Sequence, residues 1–122
     1  MSEILEANFD QDYRAALQDF LARATHTFGK RILAATLYGS KARGDDTLDS
    51  DVDVVLIVSA DDPDVRRGLV RLAARISLEY NILLDPRVIP IERWEHYARL
   101  RYPLWENVER DGIPLNLEHQ LA

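Results

Sequence analysis

Residues 38–58 read YGSKARGDDTLDSDVDVVLIV. The last seven, VDVVLIV at 52–58, are almost all β-branched or otherwise apolar, which predicts a buried strand. The stretch opens where a shorter apolar run, RILAATLY at 31–38, meets Gly39-Ser40, so a second strand is expected to end in a polar turn. Alternate residues of a strand face the same side, so Asp51 and Asp53 project together while Val52 and Val54 face the other way. Two carboxylates about 4 Å apart at an effective dielectric near 20 repel by ~4 kcal/mol, so the pair calls for a cation. Oxygen ligands with open positions suit Mg²⁺, which takes phosphate oxygens as further ligands. The competing reading puts both aspartates just before the strand, in water. A calcium loop is a sharper rival, because Asp49, Asp51 and Asp53 mimic its first three ligands. It fails at its sixth position, where Val54 replaces glycine, and at its twelfth, where Ala60 replaces glutamate.

Two further features bear on the same chemistry. Gly39 lets backbone approach an anion closely, a following helical turn would aim N–H groups at it, and Ser40, Lys41 and Arg43 add a hydroxyl and positive charge. Taken alone, a Gly-Ser pair after a strand is equally a simple turn. Asp85 interrupts the apolar run ILLDPRVI at 82–89, and a buried unpaired carboxylate is costly, so it needs a partner or a cation. A salt bridge to Arg87 or an Asp-Pro turn would also satisfy it.

Working outward, residues 10–28 place Tyr13, Leu17, Phe20, Leu21, Ala24 and Phe28 at helical spacing, with Gly29 as a left-handed stop. Asp61-Asp62-Pro63 predicts the start of a helix that buries Val65, Leu69, Leu72, Ala73, Ile76 and Tyr80 and ends at Asn81. A third strand is expected over 82–89, with Pro86 at a sheet edge or strand end. Helices over 92–101 and 104–110 follow, broken at Pro103 and stopped at Gly112. Strands alternating with helices imply an α/β domain with a small mixed sheet.

The chain has 122 residues, 47% of them apolar, which supports a single domain over 1–122 with roughly two-thirds of its surface buried. Fifteen Lys and Arg against 21 Asp and Glu give a net charge of −6, which argues against direct nucleic-acid or anionic-membrane binding. The excess is local: eight aspartates lie between Asp45 and Asp64, without one Lys or Arg. Without cysteine there is no disulfide, thiolate zinc site or cysteine nucleophile. The acidic start does not read as a secretory signal, and the longest apolar run, 54–58, is far short of a membrane span, so a cytoplasmic domain is expected. His26, His96 and His119 lack metal-ligand spacing. Trp94, Tyr97 and Trp105 suit core or interface, and Arg67, Arg71 and Arg75 recur at helical spacing as a solvated face or a contact stripe.

Gly39-Ser40, ten intervening residues, Asp51-Val52-Asp53 and a later strand carboxylate together resemble the signature of the nucleotidyltransferase superfamily, whose fold is like the palm of DNA polymerase beta. The string GSKARGDDTLDSDVDVVLIV at 39–58 is especially similar to the minimal nucleotidyltransferases (MNT) encoded beside HEPN-domain toxins. Pro86 departs from the apolar residue that usually follows the third aspartate. The resemblance implies that Gly39, Ser40 and Arg43 hold the phosphates of ATP. It implies that Asp51 and Asp53 hold two Mg²⁺ ions, and that Asp85 completes a metal site and helps deprotonate the acceptor. It further implies an antitoxin that transfers AMP to a tyrosine of a HEPN ribonuclease partner. The alternatives are a non-catalytic module that masks its partner, with the Arg67, Arg71 and Arg75 stripe as its contact, or transfer to a small molecule such as an antibiotic, which needs a longer C-terminal region.

Overall fold

The computed structural model describes residues 2–44 and 51–117. Asp45, Asp46 and Asp49 of the acidic run, and His119, lie outside them. In chain order the elements are α1 (Ser2–Phe28), β1 (Ile32–Tyr38), α2 (Ser40–Arg43), β2 (Val52–Val58), α3 (Pro63–Tyr80), β3 (Leu84–Pro90), α4 (Ile91–Leu100), α5 (Pro103–Asp111) and β4 (Ile113–Pro114), with one 3-10 turn at Gly29–Arg31. The sheet is mixed and ordered β3-β2-β1-β4. β1 runs antiparallel to both β2 and β4, while β2 and β3 are parallel and joined through α3. That is the α/β class expected from the alternation of strands and helices.

The two faces of the sheet have different jobs. Val52, Val54, Leu56 and Val58 of β2, with Ile32, Ala35 and Leu37 of β1, pack against Leu17, Phe20, Leu21 and Ala24 of α1 and Val65, Leu69, Ala73 and Ile76 of α3. The opposite face carries a smaller cluster, Tyr38, Val55, Ile57, Ile89 and Val108, partly covered by Trp94 and Tyr97 of α4 and Leu104 of α5. The tryptophan and tyrosine of α4 are therefore packing residues first. Burying this much branched aliphatic surface stabilises the fold by roughly 1.5–3 kcal/mol per side chain.

Local chemistry accounts for the element ends. The Asp62 side chain accepts from the Asp64 N–H at the start of α3, Pro63 occupies the first turn, and Asn81 closes the helix at φ 54°. Leu72 and Tyr80 are only partly buried. Tyr80 stays at the margin because its hydroxyl donates to Asp19 at 2.7 Å, while Arg23 bonds both Asp19 and Glu79, tying α1 to α3. α1 starts earlier than residue 10, since Glu3, Leu5, Glu6 and Ala7 favour helix and no Gly or Pro interrupts them. Gly112 ends α5 in extended conformation, not left-handed; a Cβ there would strike the Val108 carbonyl and the Thr36 methyl, so the position needs its small size. The two-residue β4 that follows is too short to leave a periodic trace in sequence. β3 ends the sheet on one side, where the missing N–H of Pro86 is tolerated. Among the described residues no helix is long and apolar enough to cross a membrane.

Candidate active site

The register of three strands builds the site. Tyr38 on β1 stands opposite Asp53 on β2, which stands opposite Asp85 on β3, so one row across the sheet carries a phenol and two carboxylates on the same face. Asp51, two residues before Asp53, joins them. One carboxylate oxygen from each of Asp51, Asp53 and Asp85 lies within 4.8 Å of the other two, and all three residues are half-buried. Asp51 lies one residue ahead of β2, as the competing reading had it, but Asp53 lies within the strand and both converge with Asp85 as half-buried groups rather than as a solvated pair.

The register is itself pinned. The Val52 N–H donates to the Leu83 carbonyl at 2.8 Å, and the Leu84 N–H donates to Ser77 Oγ at 3.0 Å, while that hydroxyl donates back to the Ala73 carbonyl at 2.8 Å. A side chain near the end of α3 thus holds the first residue of the strand that delivers Asp85. No ion pair joins Asp85 to Arg87 among the described residues.

Gly39 follows β1 at φ 76° and ψ −156°, a region that in practice only glycine occupies. A Cβ at this position would run into the Asp53 carboxylate. The single turn α2 comes next, closed by Gly44 at φ 83° with its N–H on the Ser40 carbonyl at 2.9 Å. Ser40 therefore starts a helical turn beside the carboxylates, as the spacing required. Arg43 is exposed at the end of that turn and draws on the Asp53 charge. Lys41 sits differently, its ammonium 5.1 Å from the centre of the Tyr13 ring on α1. A groove of about 460 Å³ lined by Tyr13, Leu17, Leu37, Ile113 and Leu115 lies on that other face, away from the carboxylates.

Charge is under-compensated at the cluster. Burial, then the neighbouring Asp85 and Asp51, hold the Asp53 carboxyl above its ordinary range, with Arg87 and Arg43 pulling the other way. Burial likewise pushes the Tyr38 phenol up, opposed by Arg87. Three converging carboxylates whose repulsion Arg87 and Arg43 only partly offset, next to space that only a glycine leaves, fit a hard divalent cation with room for phosphate oxygens. Arg87 and Tyr38 were not among the residues singled out from sequence as site residues. The period-two rule that paired Asp51 with Asp53 would have found Arg87, two residues beyond Asp85 on the same strand face.

The nucleotidyltransferase domain model matches residues 20–111, from the middle of α1 to the end of α5. "Putative protein adenylyltransferase MJ0141" of Methanocaldococcus jannaschii is 35% identical over 88 residues, spanning 69% of this chain and 77% of that protein. Among solved structures, a mutant of the toxin-antitoxin pair MntA-HpeT superposes with a TM-score of 0.53 at 18% identity, covering 84% of this chain and 74% of that one. A toxin-antitoxin structure with AMP-PNP gives 0.52 at 16% identity, covering 84% and 77%. At these identities the structural likeness shows the fold.

Proposed function

The chain belongs to the nucleotidyltransferase domain family, and on that premise we propose that it is a cytoplasmic, Mg²⁺-dependent protein adenylyltransferase that moves AMP from ATP to a tyrosine of a HEPN ribonuclease toxin, silencing it. The observation that carries the reading is the convergence of Asp51, Asp53 and Asp85 beside the Gly39-Ser40 turn. The adenylyltransferase name of the archaeal relative supports the reaction, and the toxin-antitoxin neighbours, one with an ATP analogue, support the partner and the donor.

Each residue has a distinct task. Asp51, Asp53 and Asp85 would hold the metal, and Gly39 leaves the space in which a triphosphate can approach Asp53. Ser40 and the backbone of its turn donate to β- and γ-phosphate oxygens, with Arg43 adding charge at the open side. Bound Mg²⁺ supplies stabilisation of the attacking and leaving oxygens of an in-line displacement. As the tyrosine oxygen forms its bond to the α-phosphorus, Asp85 accepts the hydroxyl proton. The bond from that phosphorus to the bridging oxygen breaks, and pyrophosphate leaves with its electron pair.

The test is incubation with ATP labelled at the α-phosphate, Mg²⁺ and the product of the adjacent gene. Label on the partner, lost when its acceptor tyrosine is changed to Phe and lost with Asp53→Asn, is the expected result. No label on the partner from the unaltered protein would overturn the reading. Unchanged transfer by Asp53→Asn would overturn the site. If Asp53→Asn still protects cells from the toxin, masking accounts for neutralisation and transfer does not.

A further inference from the structure

The outer side of α3 takes no part in the core or in the carboxylate cluster. Val65, Leu69, Ala73 and Ile76 turn inward. At about 100° per residue the opposite side carries two neighbouring rows at fourfold spacing. Arg67, Arg71 and Arg75 form one row, Val70, Ala74 and Leu78 the other, and all six are exposed. Val70 is 47% exposed and Leu78 85%. Ser77 reaches the Leu84 N–H on β3 whereas Glu79 reaches Arg23 on α1, so the apolar row lies toward β3 and the basic row toward α1. Beyond the helix comes Leu83, 57% exposed and two residues before Asp85 in sequence. Single exposed apolar side chains are ordinary, but a row of them beside a row of arginines marks an interaction surface.

Charge and backbone together narrow what can sit there. Arg67 pairs with Asp64 at 2.7 Å in the open, and among the described residues no ion pair engages Arg71 or Arg75. In a chain of net charge −6 the row is a local patch of opposite sign, suited to an acidic surface. A second copy of the chain carries the same net −6, so the two repel overall, and that net charge disfavours nucleic acid as well. The adjoining sheet edge is closed to an added strand. Val52 bonds Leu83, so residues 84, 86, 88 and 90 of β3 point their backbone groups outward. The Leu84 N–H is taken by Ser77, and Pro86 and Pro90 have none, which leaves an incoming strand only Val88. A partner therefore meets this side of the molecule through side chains.

We propose that the outer face of α3 is the docking surface for the acceptor protein, which lays on it a helix carrying an apolar row and an Asp/Glu row at fourfold spacing. The groove between two such rows is what a helix ridge packs into, and acids on the incoming helix meet Arg71 and Arg75 while apolar side chains cover Val70 and Leu78. This rests on the reading of the protein as one that modifies a protein acceptor. Docking there sets the partner along the outermost strand of the sheet, the strand that carries Asp85.

The experiment measures binding of the full chain to the purified product of the adjacent gene by titration calorimetry at low and high salt, beside transfer of labelled AMP across a series of partner concentrations. Arg71→Glu with Arg75→Glu should weaken binding about a hundredfold and remove its salt dependence, while the corresponding double change to Lys keeps both. Leu78→Ser should weaken it about tenfold. All are exposed positions, and thermal melts check folding. The weakened variants should need more partner for half-maximal transfer, yet keep the rate at saturation and the response to Mg²⁺ with ATP. Asp53→Asn should bind the partner normally and transfer nothing. If the Glu and Ser variants bind and transfer as the unaltered protein does, the docking surface is overturned while adenylyl transfer stands. If these changes instead dissociate a dimer of this chain in sedimentation, or abolish RNA binding, with partner affinity intact, another occupant holds the face and the proposal is overturned. If the unaltered protein neither binds nor labels the partner, the acceptor reading falls and the docking surface with it.

Discussion

At the residue scale, Asp53 sits where the fold works against its charge. Its carboxyl is held above the ordinary range by burial first, then by Asp85 and Asp51. The ionised form therefore destabilises the metal-free protein. Because the folded-state value lies above the unfolded one, the native state binds the proton more tightly. The stabilising effect is complete below the unfolded value, near 3.9, and is lost as pH rises through the higher folded value. Asp53→Asn should thus raise the unfolding temperature of metal-free protein at pH 7. The difference from the unaltered protein should shrink on acidification toward pH 4, as paired thermal melts would show. At Gly39 the constraint is steric: Gly39→Ala places a side chain in a glycine-only region and against the Asp53 carboxylate. A loss of about 1–3 kcal/mol in chemical denaturation is expected, with loss of ATP binding.

At the element scale, the decisive links are those that set how β3 sits against β2. Ser77 is the clearest, receiving the Leu84 N–H and donating to the Ala73 carbonyl. Ser77→Ala leaves that N–H without its partner and should cost about 1–2 kcal/mol in urea unfolding. It should also lower transfer more than the stability loss explains, because the start of the strand bearing Asp85 loses its anchor. Asp62→Ala removes the cap of α3 and should cost about 1 kcal/mol with little effect on transfer, since the cap lies at the opposite end of that helix. These elements were largely legible in the sequence. Residues 52–58 form a strand at the boundaries their β-branched run marked, and Asp62, Pro63 and Asn81 bracket α3 through their own side-chain and backbone chemistry. The start of α1 and the two-residue β4 were not legible, because an N-terminal stretch without clear amphipathic spacing and a strand of two residues carry no period to read.

At the scale of the whole molecule, the acidic excess becomes a statement about ligation. If part of the net charge of −6 is a cation site, Mg²⁺ with ATP should raise the unfolding temperature by mass action, by an amount that grows with ligand concentration. Asp53→Asn should abolish that dependence, which differential scanning fluorimetry across a ligand series would measure. Sequence by itself determined the three longer strands, the caps of α3 and the pairing of Asp51 with Asp53, because these depend on neighbours one to four residues apart. Asp85 it could only nominate, from the cost of a carboxylate in an apolar strand. Tertiary structure decided that β3 lies parallel to β2 in the register that sets Asp85 beside Asp53, and that Gly39 backs onto the same carboxylate. Register between strands separated by a helix is set by packing and by hydrogen bonds such as Val52 to Leu83, none of which is written in local periodicity.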